Sequence, residues 1–440
     1  MKTDHQNGTP RIVPRPEHII TRANIAETAL KVLYRLKAAG FESYLVGGGV
    51  RDLLLGREPK DFDIATDATP EEVKALFRNC RLIGRRFRLA HVHFGREIIE
   101  VATFRGSHDG GEGASEGDGM ILRDNVYGTL EEDAWRRDFT INSLYYDIRD
   151  FSVVDYTGGL EDLEAGLLRV IGDAGQRYRE DPVRMLRAIR FAAKLGFRIH
   201  PDSEGPIFEL GETLEAVPPA RLYEEILKLF LSGHGVASFE LMRHYDLFRH
   251  LFPLTEACLA QEENGFPHQM VLRGLENTDA RVAEGKPVTP AFLFAVLLWE
   301  PVRARAATLQ AEGMSEIQAL QSASEMVIAE AVRHVALPKR FSLQTREIWV
   351  MQARLPRRNG KRAQRLLEMP RFRAAYDFLL LRAESGDQQL QELAQWWTDF
   401  QAVDEESRAA LSRTAPAGEG EGGGKKRRRR RRRKKPASPQ

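Results

Sequence analysis

Only two cysteines, Cys80 and Cys258, occur in the 440 residues. They lie far apart and form neither a disulfide framework nor a CxxC zinc motif, which suits a reducing, cytoplasmic setting. Long apolar runs are also missing. The longest, Ala291 to Trp299, falls far short of the roughly 20 residues a membrane span needs. The start, MKTDHQNGTPRIVPRPEH, is polar and proline-punctuated, so no secretory leader is read there. Nor is there a net excess of one charge, the formal sum being +2. That balance hides an asymmetry. Lys425 to Lys435 is an unbroken run of eleven Lys and Arg residues, which leaves 54 basic against 63 acidic residues elsewhere.

An acidic body with a basic arm points to a polyanionic partner, nucleic acid first. The plainer reading of the arm is a solvated tail that aids solubility. The stretch Lys425, Lys426, Arg427, Arg428, Arg429, Arg430, Arg431 has no interleaved aromatics. It should therefore bind RNA phosphates without reading sequence, and weaken with salt. The rest of the chain, 42% hydrophobic and 29% charged overall, has the make-up of a folded, soluble protein and excludes collagen and wholesale disorder. Its length suggests about three domains.

The patterning divides the chain. Residues 1–20 read as a flexible leader. Ile25, Ala29, Val32, Leu33 and Leu36 recur at helical spacing over Ile25 to Ala39. A strand from Ser43 to Val46 runs into Gly47, Gly48 and Gly49. A second strand covers Phe62 to Thr66, and a helix follows with Thr69 as cap and Pro70 at its first position. Further strands are expected over Leu89 to Phe94 and Ile98 to Phe104. Gly106 to Gly119 is Gly-rich, acidic and aperiodic, so it reads as a loop. From Asp181-Pro182 onward the pattern is helical, with helix starts also at Thr289-Pro290 and Arg371. The expected fold class is α+β: a mixed-sheet head over 21–165, a helical neck over 166–235, a helical body over 236–412 and a basic tail over 413–440.

The strongest local signal is YLVGGGVRDLLLGREPKDFDIAT, Tyr44 to Thr66. In a strand, Asp61 and Asp63 point to one side and Phe62 and Ile64 to the other. Two carboxylates side by side repel unless a cation sits between them, and Mg2+ takes such oxygen ligands together with substrate phosphates. Glycines let the backbone approach a phosphate, and Arg51 offers a charged fork. A lone DxD is common on exposed strand ends, and a glycine triplet is more often a turn. Their combination, in this order, implies phosphoryl transfer.

At these residues the sequence resembles the class II nucleotidyltransferases, the bacterial poly(A) polymerases and CCA-adding tRNA nucleotidyltransferases. Two further blocks carry the resemblance: Arg136-Arg137-Asp138-Phe139-Thr140-Ile141-Asn142, and Glu180-Asp181-Pro182-Val183-Arg184-Met185-Leu186-Arg187. It implies that Asp61 and Asp63 bind two Mg2+ ions, with Asp138 as third catalytic carboxylate. Glu100 is a rival for that place, and Glu180 a candidate for deprotonating the RNA hydroxyl. It further implies nucleotide contacts from Gly48, Gly49, Arg51, Arg137, Asp181, Arg184 and Arg187. A carboxylate only accepts hydrogen bonds and a guanidinium only donates them. Asp181 with Arg184 therefore matches the edge of adenine or cytosine, not guanine or uracil; Asp181 is equally a good helix cap.

Poly(A) synthesis is favoured over CCA addition by resemblance in several places. These are Leu82 to His91 with Arg85, Arg86 and Arg88, the loop Gly106 to Gly119, the stretch Arg123-Asp124-Asn125, residues 360–383 and the basic tail. The three arginines also read as an ordinary charged strand edge. His91 and His93 share a strand face without a clear third ligand, so packing is expected of them. Trp396 and Trp397 read as core or interface. No H…HD arrangement suggests a phosphohydrolase. The expected activity is AMP transfer from ATP to RNA 3′ ends, mRNA among them, with Mg2+ as cofactor and RNA-decay proteins as possible partners. The alternatives are CCA addition and a non-catalytic RNA-binding adaptor.

Overall fold

The computed structural model describes residues 9–84, 88–106, 126–263, 266–267, 269–384 and 387–415. Arg85, Arg86, most of the 106–119 loop, the Arg123–Asn125 stretch and the Lys425–Lys435 run lie outside these residues. The chain divides into two compact units, Met1–Pro253 and Leu254–Gln440. The expected neck–body boundary at 235/236 thus falls inside the first unit.

The first unit is built on an eight-stranded sheet: β1 (Arg11–Val13), β2 (Ser43–Val46), β3 (Asp63–Thr66), β4 (Cys80–Ile83), β5 (Leu89–Phe94), β6 (Glu97–Thr103), β7 (Leu144–Asp147) and β8 (Val153–Asp155). Their order is β1-β8-β7-β2-β3-β6-β5-β4. β3 and β6 pair in parallel and every other neighbour is antiparallel. The part of the leader that is described joins the sheet. Arg11, Ile12 and Val13 pair with Asp155, Val154 and Val153 at the sheet edge, and His18 Nε2 hydrogen-bonds to the Phe151 carbonyl at 2.8 Å. Three residues of strand carry too little periodicity to be read from sequence.

Helices α1 (Glu27–Ala38), α2 (Gly48–Leu54), α3 (Pro70–Leu76), α4 (Leu130–Arg136) and α5 (Gly159–Ala165) pack around the sheet. α3 starts at Thr69 through a capping box in which Thr69 and Glu72 each satisfy the other's backbone N–H. Alternation sets the two faces of the sheet. On one face Tyr44, Val46, Ala65, Tyr145 and Val154 form a cluster with Phe104 and Ala134. Asp63 shares that face with Ala65, two residues away, so the carboxylate emerges where the apolar cluster ends.

The unit continues as helices: α6 (Ala174–Glu180), α7 (Val183–Leu195), α8 (Pro201–Leu210), α9 (Pro219–Phe230) and α10 (Gly235–His244). α7 buries Met185, Leu186, Ala188, Ile189 and Ala192 and leaves arginines on its other side, as an amphipathic helix does.

In the second unit, every described helix from Met270 onward is α-helical in type, beginning with Met270–Ala283, and strand is confined to the short pair Glu262–Glu263 and Phe266–Pro267. The apolar run at 291–299 is buried except for Phe292. Trp349 Nε1 donates to the Ala295 carbonyl at 3.0 Å. Trp397 is fully buried and packs with Phe372 and Phe400, in keeping with a core role. Among the described residues no helix is long and apolar enough to cross a membrane.

Candidate active site

β2 ends at Val46, and the chain reverses at Gly47 (φ 74°, ψ −135°), a conformation that side chains with a Cβ rarely adopt. Gly48 and Gly49 are not an open loop: they form the first turn of α2. Gly49 is buried, and a Cβ there would stand 3.4 Å from the Asp61 carbonyl oxygen and 3.7 Å from the Phe62 ring. α2 thus lies against the backbone that carries Asp61, within contact distance of a Cβ at Gly49. Gly48 is the partly exposed member of the triplet.

Arg51 lies beneath this turn and is only 2% exposed. Its Nε and Nη2 donate to Asp52 at 2.8 and 2.6 Å, and Nη1 donates to Asn142 at 2.6 Å. The fork expected to grip a phosphate is therefore engaged inside the protein. It supports the glycine turn instead, with Nη2 3.4 Å from where a Cβ on Gly48 would be.

The acidic face follows from register. Asp63 on β3 stands opposite Glu100 on β6, so their carboxylates leave the same face of adjacent strands, and Asp61 precedes β3 by one turn of the alternation. Burial, then repulsion from Glu100 and Asp61, push the Asp63 carboxyl up to about 6, against the pull of Arg137. Burial and the neighbouring acids thus outweigh the opposing charge of Arg137. The three groups are not drawn into a closed cage: no cluster of three or more His, Cys, Asp or Glu that could hold a metal occurs among the described residues.

Arg137 is fixed beside them. Its Nε and Nη2 donate to Asp133 Oδ2 at 3.2 and 2.9 Å, and Nε also to Tyr145 Oη at 2.9 Å. Nη1 is left toward Gly47, 3.6 Å from where a Cβ would be. Burial opposes the charge, but Tyr145 and Asp133 outweigh it and raise the pKa of the guanidinium. Asp133 lies one helical turn before Arg137, a legible i,i+4 pair. Tyr145, from a strand, carries no such local signal.

Asp138 sits elsewhere in the network. Its carboxylate accepts from Arg187 Nε at 2.9 Å and from Arg187 Nη2, and from the Phe139 amide at 2.9 Å. Burial works against its charge, yet Arg187, Asn142 and the Phe139 amide hold it below the usual carboxylate range. The expected third carboxylate is thus already paired with a cation, and the acid that the sheet places beside Asp63 is Glu100. Sequence spacing could not separate the two because the parallel β3–β6 pairing joins segments far apart in the chain.

α6 and α7 bring up the remaining residues. Arg177 Nη2 donates to the carbonyls of Arg136 and Arg137 at 2.8 and 2.7 Å, which ties α6 to the Arg137–Asp138 segment. Glu180 accepts from Arg177 and Arg184, so this candidate base is paired twice. Arg184 Nη1 also donates to the Arg177 carbonyl at 2.6 Å. Asp181 is not the N-cap proper, which is Pro182; its Oδ1 accepts from the Val183 amide and its Oδ2 from Arg221 at 2.7 Å. Three guanidiniums, of Arg51, Arg187 and Arg190, gather over the Phe191 ring at 5.3, 5.6 and 4.5 Å. Phe191 and Arg190 escaped the sequence reading because an aromatic on a helix reads as core.

The mixed parallel–antiparallel sheet thus presents acids beside a glycine turn, with an arginine-rich helix after it. Comparison with known proteins gives the particular family. Residues 43–169 match the family model "Poly A polymerase head domain", 196–259 "Probable RNA and SrmB-binding site of polymerase A", and 312–435 "Polymerase A arginine-rich C-terminus". Poly(A) polymerase I of Salmonella typhimurium is 54% identical over 89% of this chain and 86% of its own length. The CCA-adding enzyme of Lactobacillus helveticus is 40% identical over only 48% of this chain and 52% of its own length. A solved structure titled "tRNA-processing enzyme (apo form I)" shares the fold, with TM-score 0.62 and 23% identity over 90% of this chain and 98% of its own. The chain belongs to the poly(A) polymerase I family. It is a polynucleotide adenylyltransferase, in a family that is in general divalent-metal dependent.

Proposed function

We propose that this enzyme extends RNA 3′ ends with AMP from ATP, using Mg2+, and so prepares cytoplasmic RNA, mRNA among it, for decay proteins. The observation that carries the site assignment is the row of acids at Asp61, Asp63 and Glu100 beside the Gly47–Gly48 turn and the pinned Arg137. Hard oxygen donors and the raised Asp63 pKa suit a divalent cation, and an open set of carboxylates suits Mg2+, which completes its shell with water and substrate phosphates. Asp61 and Asp63 would hold two such ions, which supply charge stabilisation at the reacting phosphate.

In the reaction the RNA 3′-oxygen bonds to the α-phosphorus of ATP, the bond to the β-phosphate oxygen breaks, and pyrophosphate leaves. The chain's own part is mostly positioning. Gly48 permits close approach to the triphosphate, and Arg137 Nη1 faces the same turn with its other nitrogens held by Asp133 and Tyr145. Arg51 acts from below as a positioning residue. Asp138 orients Arg187 on the nucleotide side of α7. Asp181 and Arg184 offer an acceptor and a donor to the adenine edge. With Glu180 paired to two arginines, the hydroxyl proton passes to the Asp61–Asp63–Glu100 face. The Lys425–Lys435 run holds RNA phosphates.

The test incubates the purified full chain with Mg2+ and single NTPs on a generic single-stranded RNA and on a tRNA lacking its CCA end. Long ladders with ATP alone on the generic RNA are the expected result. Addition confined to the tRNA, needing CTP then ATP and stopping after three residues, would replace the proposal with CCA addition.

A further inference from the structure

The row of register partners does not end at Glu100. His91 on β5 stands opposite Glu100, and Arg81 on β4 stands opposite His91. Asp63, Glu100, His91 and Arg81 therefore project from one face of four consecutive strands, β3-β6-β5-β4. His91 Nε2 lies 3.3 Å from Glu100 Oε2. An ionised carboxylate only accepts, so Nε2 carries the hydrogen and donates it.

The contact is specific to this imidazole. His93 shares the face, two residues along, and its buried Nε2 has no hydrogen-bond partner; this sheet does not satisfy every histidine it carries. Glu100 needs a partner more than most. Its side chain is 42% exposed, is free to rotate about three bonds, and is repelled by Asp63. One hydrogen bond to a stiff, 20% exposed ring removes much of that freedom and turns Oε1 loose for other work.

We propose that His91 is a positioning residue of the nucleotidyl-transfer site: it holds the Glu100 carboxylate toward Asp63 and so shapes the site for a divalent cation. The inference rests on the reading of Glu100 as the third carboxylate.

Mn2+ binding to the full chain, without ATP or RNA and read from the electron-spin signal of free Mn2+, tests it apart from turnover. His91→Phe should weaken Mn2+ binding roughly tenfold, the low end for loss of a group that orients a ligand. His91→Gln, which keeps a donor, should stay within about threefold of the parent. Glu100→Gln should weaken binding as well, and His91→Phe added to it should change nothing further, since coupled residues are not additive. Parent-like binding by His91→Phe overturns the proposal while leaving Glu100 in place. The same tenfold loss in both backgrounds also overturns it, because His91 then acts through the fold. Parent-like binding by Glu100→Gln overturns the reading beneath it. Melting curves accompany each variant, and where His91→Phe melts early, His91→Met carries the comparison.

Discussion

Asp133→Asn is the substitution that most directly tests how the site is held. Asp133 Oδ2 accepts from Tyr145 Oη at 2.7 Å and from Arg137 Nη2 and Nε at 2.9 and 3.2 Å, while Oδ1 accepts from the Arg105 amide at 3.2 Å. Asparagine keeps the shape and the Oδ1 acceptor. It removes the charge and sets an NH2 group against three donors. Breaking one side of a buried ion pair costs about 3–5 kcal/mol. Arg137, at 24% exposed, recovers part of that from water, so about 2–4 kcal/mol is expected. At roughly 2–4 °C per kcal/mol for a unit of this size, the first unit should melt roughly 5–15 °C lower. Tyr145→Phe, which deletes one hydroxyl, should cost about 1 kcal/mol. Because Asp133→Asn frees Arg137 without deleting it, KM for ATP should rise more than kcat falls. Calorimetry and steady-state adenylation read the two effects. A melting temperature within a degree of the parent, with KM unchanged, would refute the claim that Asp133 holds Arg137.

Asp63→Asn should abolish adenylation yet, at pH 8 in chelator, stabilise the protein by about 1 kcal/mol once solvent screening is allowed for. The sign follows from the raised pKa: between about 4 and 6 the folded state binds the extra proton, so the parent loses stability as pH rises through that window. The opposite holds at Asp138, whose lowered pKa gives stability above the ordinary carboxylate range that is lost as pH falls through the folded value. Arg187→Met should therefore flatten the acid limb of a pH–stability curve below about pH 4, and an unchanged limb would exclude the pair as its source. Deleting Lys425 to Lys435 should lower the salt slope of single-stranded RNA binding by at most about 8, at about 0.7 per phosphate contact, with little effect on ATP KM; an unchanged slope would leave the run without a role in RNA binding.

What the sequence disclosed is what local chemistry writes. The Leu89–Phe94 strand and the Thr69 and Thr289 helix starts stand where alternation and capping place them, and Ser43–Val46, buried throughout, stands where its run into the glycine triplet places it. Asp61 and Asp63 share a segment, so their pairing needed no fold. The strands β7 and β8 escaped because they are three to four residues long and buried on both faces; such runs do not alternate.

The harder cases turn on who neutralises whom. Arg51 and Asp138 both carry the charge a nucleotide site needs, and in the sequence each reads as a ligand. The structure answers each with a partner from elsewhere: Asn142 joins Asp52 on Arg51 across 91 positions, and Arg187 meets Asp138 across 49. Glu100 shows the converse. It sits on an ordinary alternating strand and gains its meaning only because β6 pairs in parallel with β3, which sets it beside Asp63, where burial and the two neighbouring acids outweigh the pull of Arg137. Charge left uncompensated is what marks a site for a cation, and compensation is a property of tertiary pairing. A reading confined to spacing can therefore nominate the charged residues, but only the sheet register decides which of them remain available for chemistry.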